Sequence, residues 1–184
     1  MSAACKVYLV RHPAPDDVDG LCYGRLDVAV PASAIASAAE SVLAQVSQNI
    51  LASAHVYSSP SSRCMGLAQH LASPHRPTAA EDLIEMSFGQ WEGLAWDALP
   101  REQIDAWASD VWSYRPGGGE SAAMVALRWQ RWLKYVQRID SGPVIAVTHA
   151  GVIRVALAHA GQLNGSSALE AIIPFGSVHR LDLA

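Results

Sequence analysis

Charge is scarce in this chain. Only 16% of its 184 residues are Asp, Glu, Lys or Arg, and 13 Lys+Arg stand against 17 Asp+Glu, a net charge of −4. With no run of Lys or Arg, a broad basic surface for nucleic acid is excluded, which leaves room only for a local basic pocket. Cysteine is equally sparse. Cys5, Cys22 and Cys64 are an odd number without CxxC spacing and offer neither a disulfide framework nor a zinc knuckle. No apolar run approaches the roughly 18 residues of a membrane span. Val7–Val10 is too short for a signal peptide and runs straight into Arg11-His12. These absences create the expectation of a cytoplasmic protein with reduced thiols and no nucleic-acid or membrane partner.

What the chain does have is apolar mass. Hydrophobic residues make up 51% of it, which argues for a packed core rather than disorder. The length suits one domain, 1–184, able to hide about 70% of its unfolded surface. Lys6–Arg11, His55–Ser58, Val144–Thr148 and Ser177–Leu183 read as strands. Apolar residues spaced by three or four predict helices over Ala32–Gln48, Ala95–Trp107, Glu120–Ile139 and Gly151–Gly161. Ser59-Pro60-Ser61 predicts another, to about Ala72, with Ser as cap and Pro in the first turn. His12–Pro31 and Leu83–Gly93 read as functional loops, Pro116–Gly119 as a tight turn, and Asn164-Gly165 as another. Trp129 and Trp132 belong to a core stripe with Val125, Leu133 and Val136. Strands alternating with helices predict an α/β/α sandwich around a mainly parallel sheet.

Ligands of such sheets bind beyond the carboxyl ends of the strands. Arg11 and His12 follow the first strand, Ser59–Arg63 the second, and His149 the Val144–Thr148 strand. Two imidazoles, two guanidiniums and helix N-termini converging at one edge describe a receptor for a dianion, most naturally a phosphoryl group. His55, His70, His75, His159 and His179 lack any partner motif and read as structural or solvated.

The motifs Leu9-Val-Arg-His12, Ser58-Ser-Pro-Ser-Ser-Arg63, Glu85-Met-Ser-Phe-Gly-Gln-Trp-Glu-Gly93, Gly118-Gly-Glu-Ser121 and Val147-Thr-His-Ala-Gly-Val-Ile-Arg154 occur in this order. Together they resemble the histidine phosphatase superfamily, with its phosphoglycerate mutase-like fold. The Cys22-Tyr-Gly-Arg25 loop and the Phe-Gly-x-Trp-Glu-Gly segment look most like the α-ribazole phosphatase branch, which acts in cobalamin nucleotide-loop assembly. The resemblance implies a phosphomonoesterase for a small-molecule ester, with no cofactor or metal, and is compatible with a homo-oligomer. His12 would be the nucleophile; Arg11, Arg63 and His149 would hold the phosphoryl oxygens; Glu85 would be the general acid and then the base. Glu81, Asp82 and Glu92 compete for that last role, Glu92 more as a hydrogen-bond partner within its turn. Phe88 and Trp91 are expected to desolvate Glu85.

Tyr23 and Arg25 are candidates for the substrate pocket, with an ordinary loop ion pair and a packed ring as the other reading. Pro13 stands where the family mostly has Gly and removes an N–H from the pocket. Cys64 replaces a usual Ala. Two alternatives stay open: phosphoryl return to substrate, as in a phosphoglycerate mutase, and a non-catalytic phospholigand or protein-binding module. Mutases of the superfamily are longer, which favours hydrolysis, and the intact Arg11, His12, Arg63, Glu85 and His149 set favours catalysis.

Overall fold

The computed structural model describes residues 6–139, 141–163 and 171–181. Five strands form one sheet: β1 (Val7–Arg11), β2 (His55–Ser58), β3 (Thr78–Ala79), β4 (Val144–Thr148) and β5 (Val178–Leu181), in the order β3-β2-β4-β1-β5. All neighbours are parallel except β5, which runs antiparallel to β1. The helices are α1 (Ala32–Gln45), α2 (Gln48–Ser53), α3 (Ser62–Ala72), α4 (Arg101–Ser109), α5 (Ala122–Ile139) and α6 (Ala150–His159), together with single turns at Glu81–Leu83, Gly89–Trp91, Trp96–Ala98 and Pro116–Gly118. Among the described residues no helix is long and apolar enough to cross a membrane.

Strand periodicity sorts the core into two layers. Val7, Leu9, Val144 and Ala146 face α5 and α6 and pack with Val125, Trp129, Trp132 and Ile153. Their neighbours Tyr8, Val10, Ile145 and Val147 face α1 and α3 and pack with Ala39, Val42, Cys64 and Leu67. The result is the three-layer α/β/α sandwich that the alternation of elements predicts. The tryptophan stripe is core, Trp129 having no solvent exposure.

Several local expectations need correction. The helix over Ala95–Trp107 is broken: Leu99 is extended (φ −78°, ψ 142°) because a residue before proline avoids the helical region, and α4 starts only after Pro100. The helix from Ala32 stops at Gln45, where Val46 and Ser47 turn extended before the separate α2. Ser61 does occupy the cap position of α3, but without a side-chain cap bond, and Pro60 lies ahead of the helix instead of in its first turn. Strand β3 is too short to leave a period in the sequence. The Asn164-Gly165 turn and the last residues of the predicted closing strand lie outside the described residues.

The turn before α5 is also a brace. The Ser87–Trp91 stretch and the Arg115–Glu120 stretch meet backbone to backbone: Glu120 N–H donates to Ser87 O (2.8 Å) and Ser87 N–H to the Glu120 carboxylate (3.1 Å). Gly117 sits at φ +57°, and a Cβ there would lie 2.2 Å from Phe88 O. Gly117→Ala should therefore lower stability by about 2–3 kcal/mol. An unchanged urea midpoint would show that these two loops do not depend on their close approach.

Candidate active site

The register of the sheet assembles the site. Arg11 ends β1 opposite Thr148 at the end of β4, so the next residues, His12 and His149, emerge side by side. His12 N–H donates to Thr148 O (3.0 Å), and the two imidazole centroids are 5.1 Å apart at an interplanar angle of 61°. Both rings are buried. In the adjacent strand β2, Ser59 N–H continues the ladder to Val147 O, and Ser59 Oγ lies 2.8 Å from His149 Nε2. Arg63 enters from the first turn of α3.

Neither arginine spends its charge on a close carboxylate. Arg63 donates to the backbone oxygens of Gly24 (2.5 Å) and Leu26 (2.8 Å), while the exposed Asp27 carboxylate is 3.8 Å away. Arg11 donates to Ile173 O, hydrogen-bonds Tyr23 and lies 3.6 Å from the centroid of Phe175. In both guanidiniums the Nε–H is buried and has no acceptor. A buried donor on a cation, left unsatisfied, is a place for an anion oxygen.

The imidazoles are neutral near pH 7. Burial, joined by the charges of Arg63 and Arg11, lowers the His12 pKa to about 3 against the opposing contact with the Pro13 carbonyl. Burial likewise holds His149 well below the ordinary range, aided by His12, Arg63, Arg128 and Arg11. His12 Nδ1 is 2.7 Å from Pro13 O. A carbonyl can only accept, so Nδ1 carries the proton and Nε2 keeps the lone pair. Pro13 costs the pocket an N–H but leaves intact the carbonyl that selects the tautomer. Cys64 is buried against His149, its Sγ 3.4 Å from Nε2, and burial pushes the thiol pKa upward.

Glu85 reaches the same edge from the loop after Leu83, which Thr148 Oγ1 ties to β4 through Leu83 O (2.7 Å). Its carboxylate accepts from Met86 N–H (2.9 Å) and from Gly151 N–H (3.1 Å) in the first turn of α6. Gly151 admits this approach, since a Cβ there would lie 2.4 Å from Oε1. Glu85 lies within electrostatic reach of Arg11, Tyr23 and Arg154.

The structure brings Arg11, His12, Arg63, Glu85 and His149 to one edge of the sheet. Tyr23 joins them, with Arg63 5.6 Å from its ring centroid. Arg25 forms an ion pair with Glu120 at 3.0 Å, and its Nε–H also donates to Glu85 O (3.5 Å). Glu92 is the turn partner expected, accepting from Leu26 N–H (2.7 Å) and Phe88 N–H (2.9 Å). Asp82 pairs with Arg131. Trp91 does not shield Glu85; it is buried with Cys22 and Leu99 against Trp96, Trp107 and Tyr114. Arg154 and Phe175 are additions from the structure. Arg154 is readable in the sequence as a cation on α6, whereas nothing near Phe175 in the sequence points to His12, 5.5 Å away. Among the described residues no group of three or more His, Cys, Asp or Glu side chains could hold a metal ion.

Solved structures share this fold. A mycobacterial glucosyl-3-phosphoglycerate phosphatase in complex with VO3 aligns over 96% of this chain and 92% of its own, at 22% identity and a TM-score of 0.82. A phosphoserine phosphatase from Entamoeba histolytica aligns over 96% and 89%, at 20% identity and a TM-score of 0.81. An Escherichia coli protein proposed to be an alpha-ribazole-5'-P phosphatase aligns over 98% and 92%, at 22% identity and a TM-score of 0.80. No curated protein matches the chain in sequence. The family model of the histidine phosphatase superfamily (branch 1) matches residues 7–184, and the chain belongs to that superfamily.

Proposed function

We propose that this chain is a phosphomonoesterase that hydrolyses a small-molecule phosphate ester through a phosphohistidine on His12. The observation that carries this reading is the pair of buried, unaccepted Nε–H groups on Arg11 and Arg63 beside a neutral imidazole with its lone pair on Nε2. A neutral imidazole is a competent nucleophile, and phosphoryl transfer asks a protein chiefly for position and charge stabilisation. His12 Nε2 attacks phosphorus, the P–N bond forms, and the P–O bond to the alcohol breaks. Arg11, Arg63 and His149 hold the phosphoryl oxygens throughout. Glu85, entering this step as the carboxylic acid, gives its proton to the departing alkoxide, then as carboxylate takes one from the water that attacks phosphohistidine, and the P–N bond breaks to release phosphate and free His12.

Phosphatase activity in proteins of the same fold supports the reaction class. The first substrate to test is α-ribazole 5′-phosphate, on the strength of the Cys22–Arg25 loop and the likeness to the Escherichia coli protein. A screen of a metabolite panel that includes it reads both the reaction and the substrate.

His12→Ala should lower turnover by at least about 10³-fold with an unchanged circular dichroism spectrum; comparable turnover by the variant would eliminate His12 as nucleophile. Glu85→Gln should slow alkyl phosphates by about 10²–10⁴-fold and aryl phosphates, whose leaving groups need less protonation, much less. Equal losses would take Glu85 out of the acid role. Burial of neutral His12 also has a sign in pH. The unfolded chain takes up a proton below about pH 6.5, and the folded chain only near the lowered value of about 3. Stability without bound anion should therefore fall on acidification through that window, by up to about 1.4 kcal/mol per pH unit from this group. Urea titrations should show a shallower acid slope for His12→Gln, and an identical slope would contradict the assigned protonation.

A further inference from the structure

Beside the Glu85 carboxylate the protein opens into a cleft of about 430 Å³, within the range of small-molecule sites. Glu85, Gly151 and Arg154 belong to its lining as well as to the reacting edge. The rest of the wall is mostly apolar, with Phe88, Ile104, Trp107, Trp112, Val125 and Val155 drawn from α4, α5, α6 and the loops between.

Most of the polar side chains of this wall already have protein partners, the buried Trp107 Nε1–H being an exception without an acceptor. Ser109 Oγ donates to Ala106 O (2.8 Å), Asp110 accepts from Ser113 N–H (3.1 Å), and Arg154 Nε donates to Ala171 O (2.9 Å). Glu85 is occupied by Met86 and Gly151 N–H groups. A polyhydroxylated ligand would lose water here and find few new partners, at a cost for each buried hydroxyl. Two carboxylates against one guanidinium also disfavour a second anionic group on the ligand.

We infer that this cleft seats the leaving-group alcohol, and that the preferred substrates are phosphomonoesters of alcohols carrying a planar aromatic body. The inference rests on the phosphatase reading and narrows its substrate class. Two observations choose this occupant: the cleft shares Glu85, the group that would protonate the departing oxygen, with the reacting edge, and its wall is mostly apolar and carries the aromatic rings of Phe88, Trp107 and Trp112, which favour an aromatic partner. Ile104, Trp107, Trp112 and Val125 then act as specificity-determining residues.

The test uses three esters of primary alcohols, so that leaving-group acidity differs little: naphthylethyl phosphate, n-propyl phosphate and glycerol phosphate. The wild-type chain should hydrolyse the naphthylethyl ester with a kcat/KM at least about tenfold above both others. Ile104→Glu, which puts a carboxylate into the apolar wall, should collapse that ratio toward one; Ala108→Glu, at an exposed position of the same wall, is the second variant if the first does not fold. Equal kcat/KM for the three esters, or a ratio indifferent to both substitutions, overturns the inference while leaving the phosphatase reading in place. Hydrolysis of none of them overturns both.

Discussion

Two guanidiniums, Arg63 buried and Arg11 half-buried, lie next to two imidazoles, and backbone carbonyls rather than close carboxylates hold them. This is the constraint around which the site is organised. A carboxylate partner would neutralise each arginine and satisfy it. The oxygens of Gly24, Leu26 and Ile173 satisfy some N–H groups and leave the positive charge uncancelled. Desolvation of a cation is costly, and it is tolerated here where loop carbonyls accept from the guanidinium N–H groups. That same positive field, together with burial, keeps His12 and His149 unprotonated.

Around this cluster the protein invests in rigidity. Glu120 binds Arg25, Arg128 and Ser87 N–H at once, and Arg128 is itself buried and donates to Asp82 O. This hub fastens the loop that carries Glu85 to α5, while Thr148 fastens its start to β4. The glycines at 117 and 119 allow the two loops to touch at backbone distance. A group that must meet a departing oxygen within a few tenths of an ångström needs such support from neighbours that do not themselves react.

Legibility in the sequence followed the strength of local signals. Strands β1 and β4 were plain, being short, β-branched and buried on both faces. The amphipathic stripe of α5 was plain as well. Errors fell where two rules compete: apolar spacing ran through Pro100, and proline's steric effect on Leu99 prevailed. Short elements such as α2 and β3 were invisible because a period cannot be read from two to six residues. In the site, residues next to strand ends were readable, since a strand's carboxyl edge has a known use. Trp91 misled for a different reason. Adjacency in a loop says nothing about which way a ring turns, and this ring turned into a cluster of tryptophans.

By itself the sequence determined which arginines and histidines follow the strand ends, the alternation of strands and helices, and the sandwich that follows from it. These are consequences of residue type and short-range periodicity, which act along the chain. Only the tertiary structure decided that Arg25 would pair with Glu120, that Phe175 would lie over Arg11, that the Pro13 carbonyl would select the His12 tautomer, and that an apolar cleft would open beside Glu85. Most of these outcomes join segments far apart in sequence. Their energies come from packing, desolvation and the direction of individual hydrogen bonds, none of which exists until the sheet brings those segments to one edge.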